Sequence, residues 1–135
     1  MAKLNVPIVS IITGEGCSGG ALGLAVANRV MMLEHAYYTV ISPEGCASIL
    51  WRDAARFADA AEALKITSKD LLEFDIIDEE IPEPLGGAHT DYAEVTNNMK
   101  SSIMNALDEL SKKSSEELRN ERYDKFRKMG RFVEA

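Results

Sequence analysis

The sequence predicts an α/β fold that becomes all-helical toward its end. Three observations carry this. Short β-branched apolar runs at Val6–Thr13, Val30–Leu33 and Tyr38–Ile41 alternate with stretches of helical character. A glycine-rich segment, Gly14–Gly20 (GEGCSGG), stands between the first run and a small-residue helix pattern. From Asp91 onward, apolar residues recur every three or four positions, the spacing of one helix face.

Taken in order, VPIVSIIT at Val6–Thr13 is a buried strand in a sheet covered on both faces. Gly14–Gly20 is a turn. Ala21–Asn28 (ALGLAVAN) is a helix with no polar face, hence a buried one. Val30–Leu33 and Tyr38–Ile41 are strands, with Met31 and Met32 filling the core. Ser42-Pro43-Glu44-Gly45 turns the chain into a helix, with Pro43 at its first position. Helical spacing continues through Trp51, a packing residue, and from Ala54 to Leu64. Thr67 caps a short helix through Leu71 and Leu72, Ile76–Ile81 is a strand, and Pro82–His89 is a loop. The long helix opens at Asp91-x-x-Glu94 and buries Tyr92, Val95, Met99, Ile103, Leu107 and Leu110. A capping box at Ser114-x-x-Glu117 opens the last helix, which reaches about Met129.

Composition narrows the function classes. With 135 residues, 46% of them hydrophobic, the chain can form a globular core, which excludes general disorder. A net charge of −7 argues against nucleic acid as a partner. No apolar run reaches the ~18–20 residues of a membrane span, and no signal-peptide pattern opens the sequence, so a cytoplasmic protein is expected. Cys17 and Cys46 with two histidines make no zinc pattern, so no metal is expected, and free thiols are. The seven acids of Asp70–Glu83 read as a solvated face rather than a docking surface for a basic partner. The basic cluster Lys125, Arg127, Lys128 and Arg131 is interleaved with Glu121, Asp124 and Glu134 and reads as a solvated or subunit-contacting helix. Few strands are available to flank the first one. The later part of a larger fold, or a core completed by another chain, is expected.

The glycine turn has three readings. Gly14-x-Gly16-x-x-Gly19, with Glu34 about 20 residues on, matches a dinucleotide-binding fingerprint. Ser18-Gly19-Gly20-Ala21 at a helix start also offers backbone N–H groups to a developing oxyanion. A tight packing turn is the third. These residues alone leave the three level.

Val40–Trp51 (VISPEGCASILW), with GEGCSGGALGLA at Gly14–Ala25 and IPEPLGGAH at Ile81–His89, resembles the carboxyltransferase alpha subunit of multi-subunit acetyl-CoA carboxylase. LRNERYDKFRKMG at Leu118–Gly130, with its Arg122-Tyr123 pair, is similar to that family's tail. The resemblance implies a crotonase-like fold of ββα units, with a partial carboxyltransferase core over residues 1–90 and a helical extension over 91–135. It implies transfer of a carboxyl group from biotin, on a carrier protein, to acetyl-CoA, giving malonyl-CoA for fatty-acid synthesis. It implies a beta subunit as partner in an α2β2 assembly, in a bacterial cytoplasm or plastid stroma. It matches Gly19 and Gly20 to the amide donors for the ureido oxygen, with Ser18, Ala21, Glu44 and Gly45 around the substrate. Cys17 stands where the family usually has glycine, and family alpha subunits are much longer than this chain.

Competing expectations are a crotonase-type hydratase or isomerase using Glu44 or Glu15 as acid/base, a nucleotide-binding module, and a silent assembly domain. For Glu44 the plainer reading is an early helix position favoured by the helix dipole. His89 reads as structural or exposed.

Overall fold

The computed structural model describes residues 1–130. Strand β1 is Val9–Ile12, β2 is Glu15–Cys17 and helix α1 is Ser18–Leu24. The order then repeats: β3 is Arg29–Leu33, β4 is Tyr37–Thr39 and α2 is Pro43–Trp51. A 3-10 turn at Ala54–Arg56 leads into α3 (Phe57–Leu64), then α4 (Ser68–Glu73) and β5 (Glu79–Ile81). Helices α5 (Tyr92–Leu110) and α6 (Ser115–Lys128) follow.

Each ββα unit gives one strand to each of two sheets. β1, β3 and β5 form a parallel sheet with β3 in the centre, and β2 pairs with β4 in parallel. As the central strand, β3 is covered on both faces, and its apolar residues Val30, Met31, Met32 and Leu33 are all at most 2% exposed. β1 at the sheet edge is only half-buried before Ile12. α5 closes one face of this core through Val95, Met99 and Ala106. A second, smaller core joins α2 and α3 through Cys46, Ala47 and Ala60, with Trp51 packed against it under the Arg56 guanidinium, 4.2 Å from the ring centroid.

Four expectations need correction. The Gly14–Gly20 turn contains a strand, because Gly16 packs where a Cβ would lie 3.0 Å from Ile12 Cγ2 and 3.3 Å from the Tyr37 carbonyl. Pairing with β4 overrides the low strand tendency of glycine. The helix after it begins at Ser18, ends at Leu24 and is not buried: Leu24 is 67% exposed and Leu22 42%. Its lack of a polar face reflects an apolar surface that no described element covers. Tyr92, placed on the buried face of the long helix, is exposed, since it sits in the first turn before the helix reaches the sheet. The strand expected over Ile76–Ile81 shortens to three residues. Arg131 and Glu134 of the basic cluster lie outside the described residues.

The caps fall where the sequence put them. Ser42, Thr67 and Asp91 accept from first-turn N–H groups, and Ser114 forms a reciprocal capping box with Glu117. Lys125 pairs with Asp78, whose carboxylate also accepts from Val30 N at 2.6 Å, so part of the basic cluster braces α6 on the sheet.

Candidate active site

β2 delivers the chain to α1 through a sharp reversal at Ser18, whose φ of +61° is left-handed. The other non-glycine residues with positive φ among those described, Arg52, Lys65 and Asp75, follow helix ends, where that conformation is common. At a helix start it is not, and such strained residues cluster at functional sites. Cys17, the N-cap, makes no side-chain hydrogen bond, so α1 has no side-chain cap. The first N–H groups of a helix have no acceptor within it. A Cβ built on Gly19 or Gly20 meets nothing within 4 Å, so the outer surface of the turn is open at both positions. Ser18, Gly19 and Gly20 are exposed and Ala21 half-buried.

Pairing of β2 with β4 brings the second motif alongside. Cys17 lies opposite Thr39 and Glu15 opposite Tyr37. Partial desolvation, then the neighbouring Glu15, Cys17 and Glu44, push the Tyr37 phenol pKa up. Glu44 is exposed in the first turn of α2, the dipole-favoured position. Gly45 N–H is taken by Ser42 Oγ at 3.1 Å, and a Cβ there would stand 3.0 Å from Ile41 Cγ1. Gly45 therefore packs the turn closely and is not a free donor. Cys17 and Cys46 are both free thiols.

Two concavities flank this turn. A groove of about 940 Å3 runs beside α1 toward the end of α6, between Leu22 and Phe126. A crevice of about 540 Å3 lies where β1, β3 and β5 end, and holds both histidines. There Glu83, its side chain 4% exposed, accepts from His35 Nδ1 at 2.9 Å, His35 N at 3.3 Å and Ala88 N at 2.9 Å. Burial pushes the Glu83 carboxyl up, but those donors outweigh it and its pKa falls below the ordinary value. The sequence drew attention to His89 and missed His35. Nothing in the spacing of His35 and Glu83, 48 residues apart, signals that they meet.

The dinucleotide reading fails on topology. Its fingerprint needs a strand that turns directly into a helix. Here β2, in a different sheet, intervenes between β1 and α1. Glu34 is engaged by the Glu83 N–H at 3.4 Å. No group of three or more metal-binding side chains occurs among the described residues.

Residues 1–130 match the family described as acetyl co-enzyme A carboxylase carboxyltransferase-like. The chain belongs to that family. It is 57% identical over 134 residues to the acetyl-coenzyme A carboxylase carboxyl transferase subunit alpha of Geobacter metallireducens, covering 99% of this chain and 42% of that protein. The same subunit of Thermus thermophilus is 54% identical, with 99% and 43% covered, and that of Trichodesmium erythraeum 54%, with 100% and 42% covered. The chain thus spans less than half the length of these relatives. Among solved structures, it resembles a Pseudomonas malonate decarboxylase with a TM-score of 0.60 at 16% identity, over 77% of this chain and 41% of that one. It resembles transcarboxylase 12S with a TM-score of 0.64 at 17% identity, over 81% and 21%. The fold is that of the crotonase-like carboxyltransferases, and the alternating ββα units agree. No described helix is long and apolar enough to cross a membrane.

Proposed function

We propose that this chain forms the biotin-side half of a carboxyltransferase site, in an enzyme that moves a carboxyl group from carboxybiotin to acetyl-CoA and yields malonyl-CoA for fatty-acid synthesis. One observation carries the reading: in a chain of this family, Gly19 and Gly20 lie in the first turn of a helix without a side-chain cap, with no neighbour within 4 Å of where their Cβ atoms would stand. When bound, the biotin group supplies a labile carboxyl and gathers negative charge on its ureido oxygen. The fit is one of donor chemistry. The turn offers N–H donors and no bulk, so a carbonyl oxygen can approach the backbone closely.

Gly19 and Gly20 donate to that oxygen most strongly as its charge grows, which is the condition for lowering a barrier rather than tightening resting binding. Ser18 aims the two amides through its strained backbone, and Ala21 keeps the following position small. Glu44 and Gly45 shape the approach from α2. No side chain of this set acts as acid or base, and Glu44 in its dipole-favoured place is not used as one. Residues 1–90 are read as the core and 91–135 as its helical extension. The beta subunit supplies the acetyl-CoA side, a carrier protein brings biotin, and an α2β2 assembly in the cytoplasm is the working form.

The test is made in the complete alpha subunit with its beta partner, following malonyl-CoA-dependent carboxylation of free biotin. Gly19→Val is expected to lower turnover by about 10²–10³, the usual cost of an oxyanion donor, with an unchanged melting temperature. Near-normal turnover would remove Gly19 from the reaction.

A further inference from the structure

The geometry points to a second site, independent of the Gly19–Gly20 turn: a crevice in which His35 accepts a hydrogen bond from an uncharged hydroxyl or amide group of a small ligand. The crevice, about 540 Å3, gathers the residues that follow β1, β3 and β5, namely Gly14, His35 and Glu83. Ligands commonly bind beyond the carboxyl ends of parallel strands. The volume lies within the roughly 300–1,000 Å3 of small-molecule clefts. The three residues of β2, about 10 Å of strand, separate Gly14 in the crevice wall from Ser18.

Glu83 sets the imidazole. Its buried carboxylate accepts from His35 Nδ1 and Ala88 N, each at 2.9 Å, and from His35 N at 3.3 Å. An ionised carboxylate only accepts, so the proton of the ring contact belongs to Nδ1. In the neutral ring Nε2 then keeps its lone pair, and the His35 side chain is 61% exposed. The wall leaves that nitrogen reachable, because Gly14, Ala36, Gly86, Gly87 and Ala88 contribute at most a methyl group each. Gly87 is the strictest of them. Its φ is +104°, and a Cβ there would stand 3.3 Å from His89 Nδ1 and 3.6 Å from Glu83 Oε2, filling the gap between the second histidine and the carboxylate. Charge selects the ligand. No lysine or arginine lines the crevice among the described residues, and the Glu34 carboxylate lies close by, accepting the Glu83 N–H at 3.4 Å. An anion would meet two carboxylates with no fixed cation to oppose them. A neutral O–H or N–H donor matches the Nε2 lone pair at no such cost.

Nitrogen-15 NMR of the full chain tests this at about pH 8, above the usual histidine range. His35 is expected as the Nδ1–H tautomer. Glu83→Gln, whose amide donates as well as accepts, is expected to release it to a mixture. Ethylene glycol and N-methylacetamide, titrated separately, probe the hydroxyl and the amide. At least one is expected to shift His35 Nε2 and the Gly87 N–H saturably. His35→Ala changes an exposed side chain and leaves Glu83 its Ala88 donor, so the fold is kept while most of the Gly87 shift is lost. The tautomer of the wild type and the response of His35→Ala decide the matter even if Glu83→Gln unfolds. The site is refuted if His35 carries its proton on Nε2, if neither probe moves its ring, or if His35→Ala keeps the Gly87 shift. Saturable shifts with inorganic phosphate or zinc ion, and none with the neutral probes, would make it an anion or metal site and overturn the assignment. No outcome bears on turnover at Gly19, so the two sites stand or fall separately.

Discussion

Arg122 donates to Asn28 Oδ1 from both Nη2, at 2.9 Å, and Nε, at 3.3 Å, across 94 residues, and each residue is 1% exposed. Among the described residues no carboxylate pairs with this guanidinium. Its remaining donors go to the carbonyls of Met1, Leu4 and Val6, while Asn28 Nδ2 donates to the Leu118 carbonyl. A buried cation is tolerated here because every face of it meets an oxygen. The cluster fastens α6 to the start of β3 and to the segment before β1. Arg122→Ala removes the guanidinium from the buried Asn28 Oδ1, which then keeps only the Ile8 N–H at 3.2 Å, and unties the exposed Met1–Val6 segment. A loss of about 1–3 kcal/mol in urea unfolding is expected. Arg122→Lys should recover only part of it, because one ammonium cannot reproduce the planar fork.

That cluster marks the limit of what the sequence discloses. Ser42, Thr67, Asp91 and Ser114 were legible as caps because a cap is a local device: its oxygen reaches N–H groups two or three residues on. The β3 core was legible because a continuous apolar run needs no partner to identify it. Arg122 looked like one base in a charged helix, and only its place one turn after buried Leu118 hinted that it faces inward. β2 was hidden for the opposite reason. Glycine disfavours strands, and the demand for Gly16 comes from Tyr38 across the sheet pair. For the site, the Ser18–Ala21 motif was visible, whereas the φ of Ser18, the groove beside Leu22 and the Glu83–His35 contact depend on long-range packing.

Glu83 gives a pH signature with a defined sign. Its folded pKa lies below the ordinary 4.5, so its stabilising contribution is complete above that value and disappears as pH falls through the folded one. The stability difference between wild type and Glu83→Gln is therefore expected to shrink as pH falls below about 4.5. A difference that grows on acidification would reverse the assignment. Comparing the two proteins isolates Glu83 from Glu109, Glu117 and Glu121, whose pKa values are also lowered.

Gly16 and Gly19, three residues apart, are expected to respond in opposite ways to alanine. At Gly16 the new methyl meets Ile12, Tyr38 and the fixed Tyr37 carbonyl within 3.0–3.3 Å. Overpacking of that kind costs about 1–3 kcal/mol. At Gly19 the methyl enters open space inside a helix, where alanine is favoured over glycine by about 0.5–1 kcal/mol. Thermal unfolding should thus show Gly16→Ala destabilised and Gly19→Ala unchanged or slightly stabilised. Equal losses at both would mean that the space over Gly19 is closed.

Cys17 and Glu44 separate amide-driven carboxyl transfer from side-chain acid/base chemistry. Cys17 is the N-cap of α1 yet makes no side-chain hydrogen bond, and glycine is acceptable at that position. Cys17→Gly is expected to change turnover by less than about two-fold. Glu44 is exposed in the first turn of α2 beside Tyr37, so Glu44→Gln removes a helix-dipole interaction of about 0.3–1 kcal/mol. If the ureido oxygen is handled by main-chain donors alone, the complete subunit carrying Glu44→Gln keeps carboxyl transfer within a few-fold, with a flat ratio to wild type from pH 6 to 8. A hydratase-like role demands the reverse: loss of about 10²-fold or more, the usual contribution of a general acid or base.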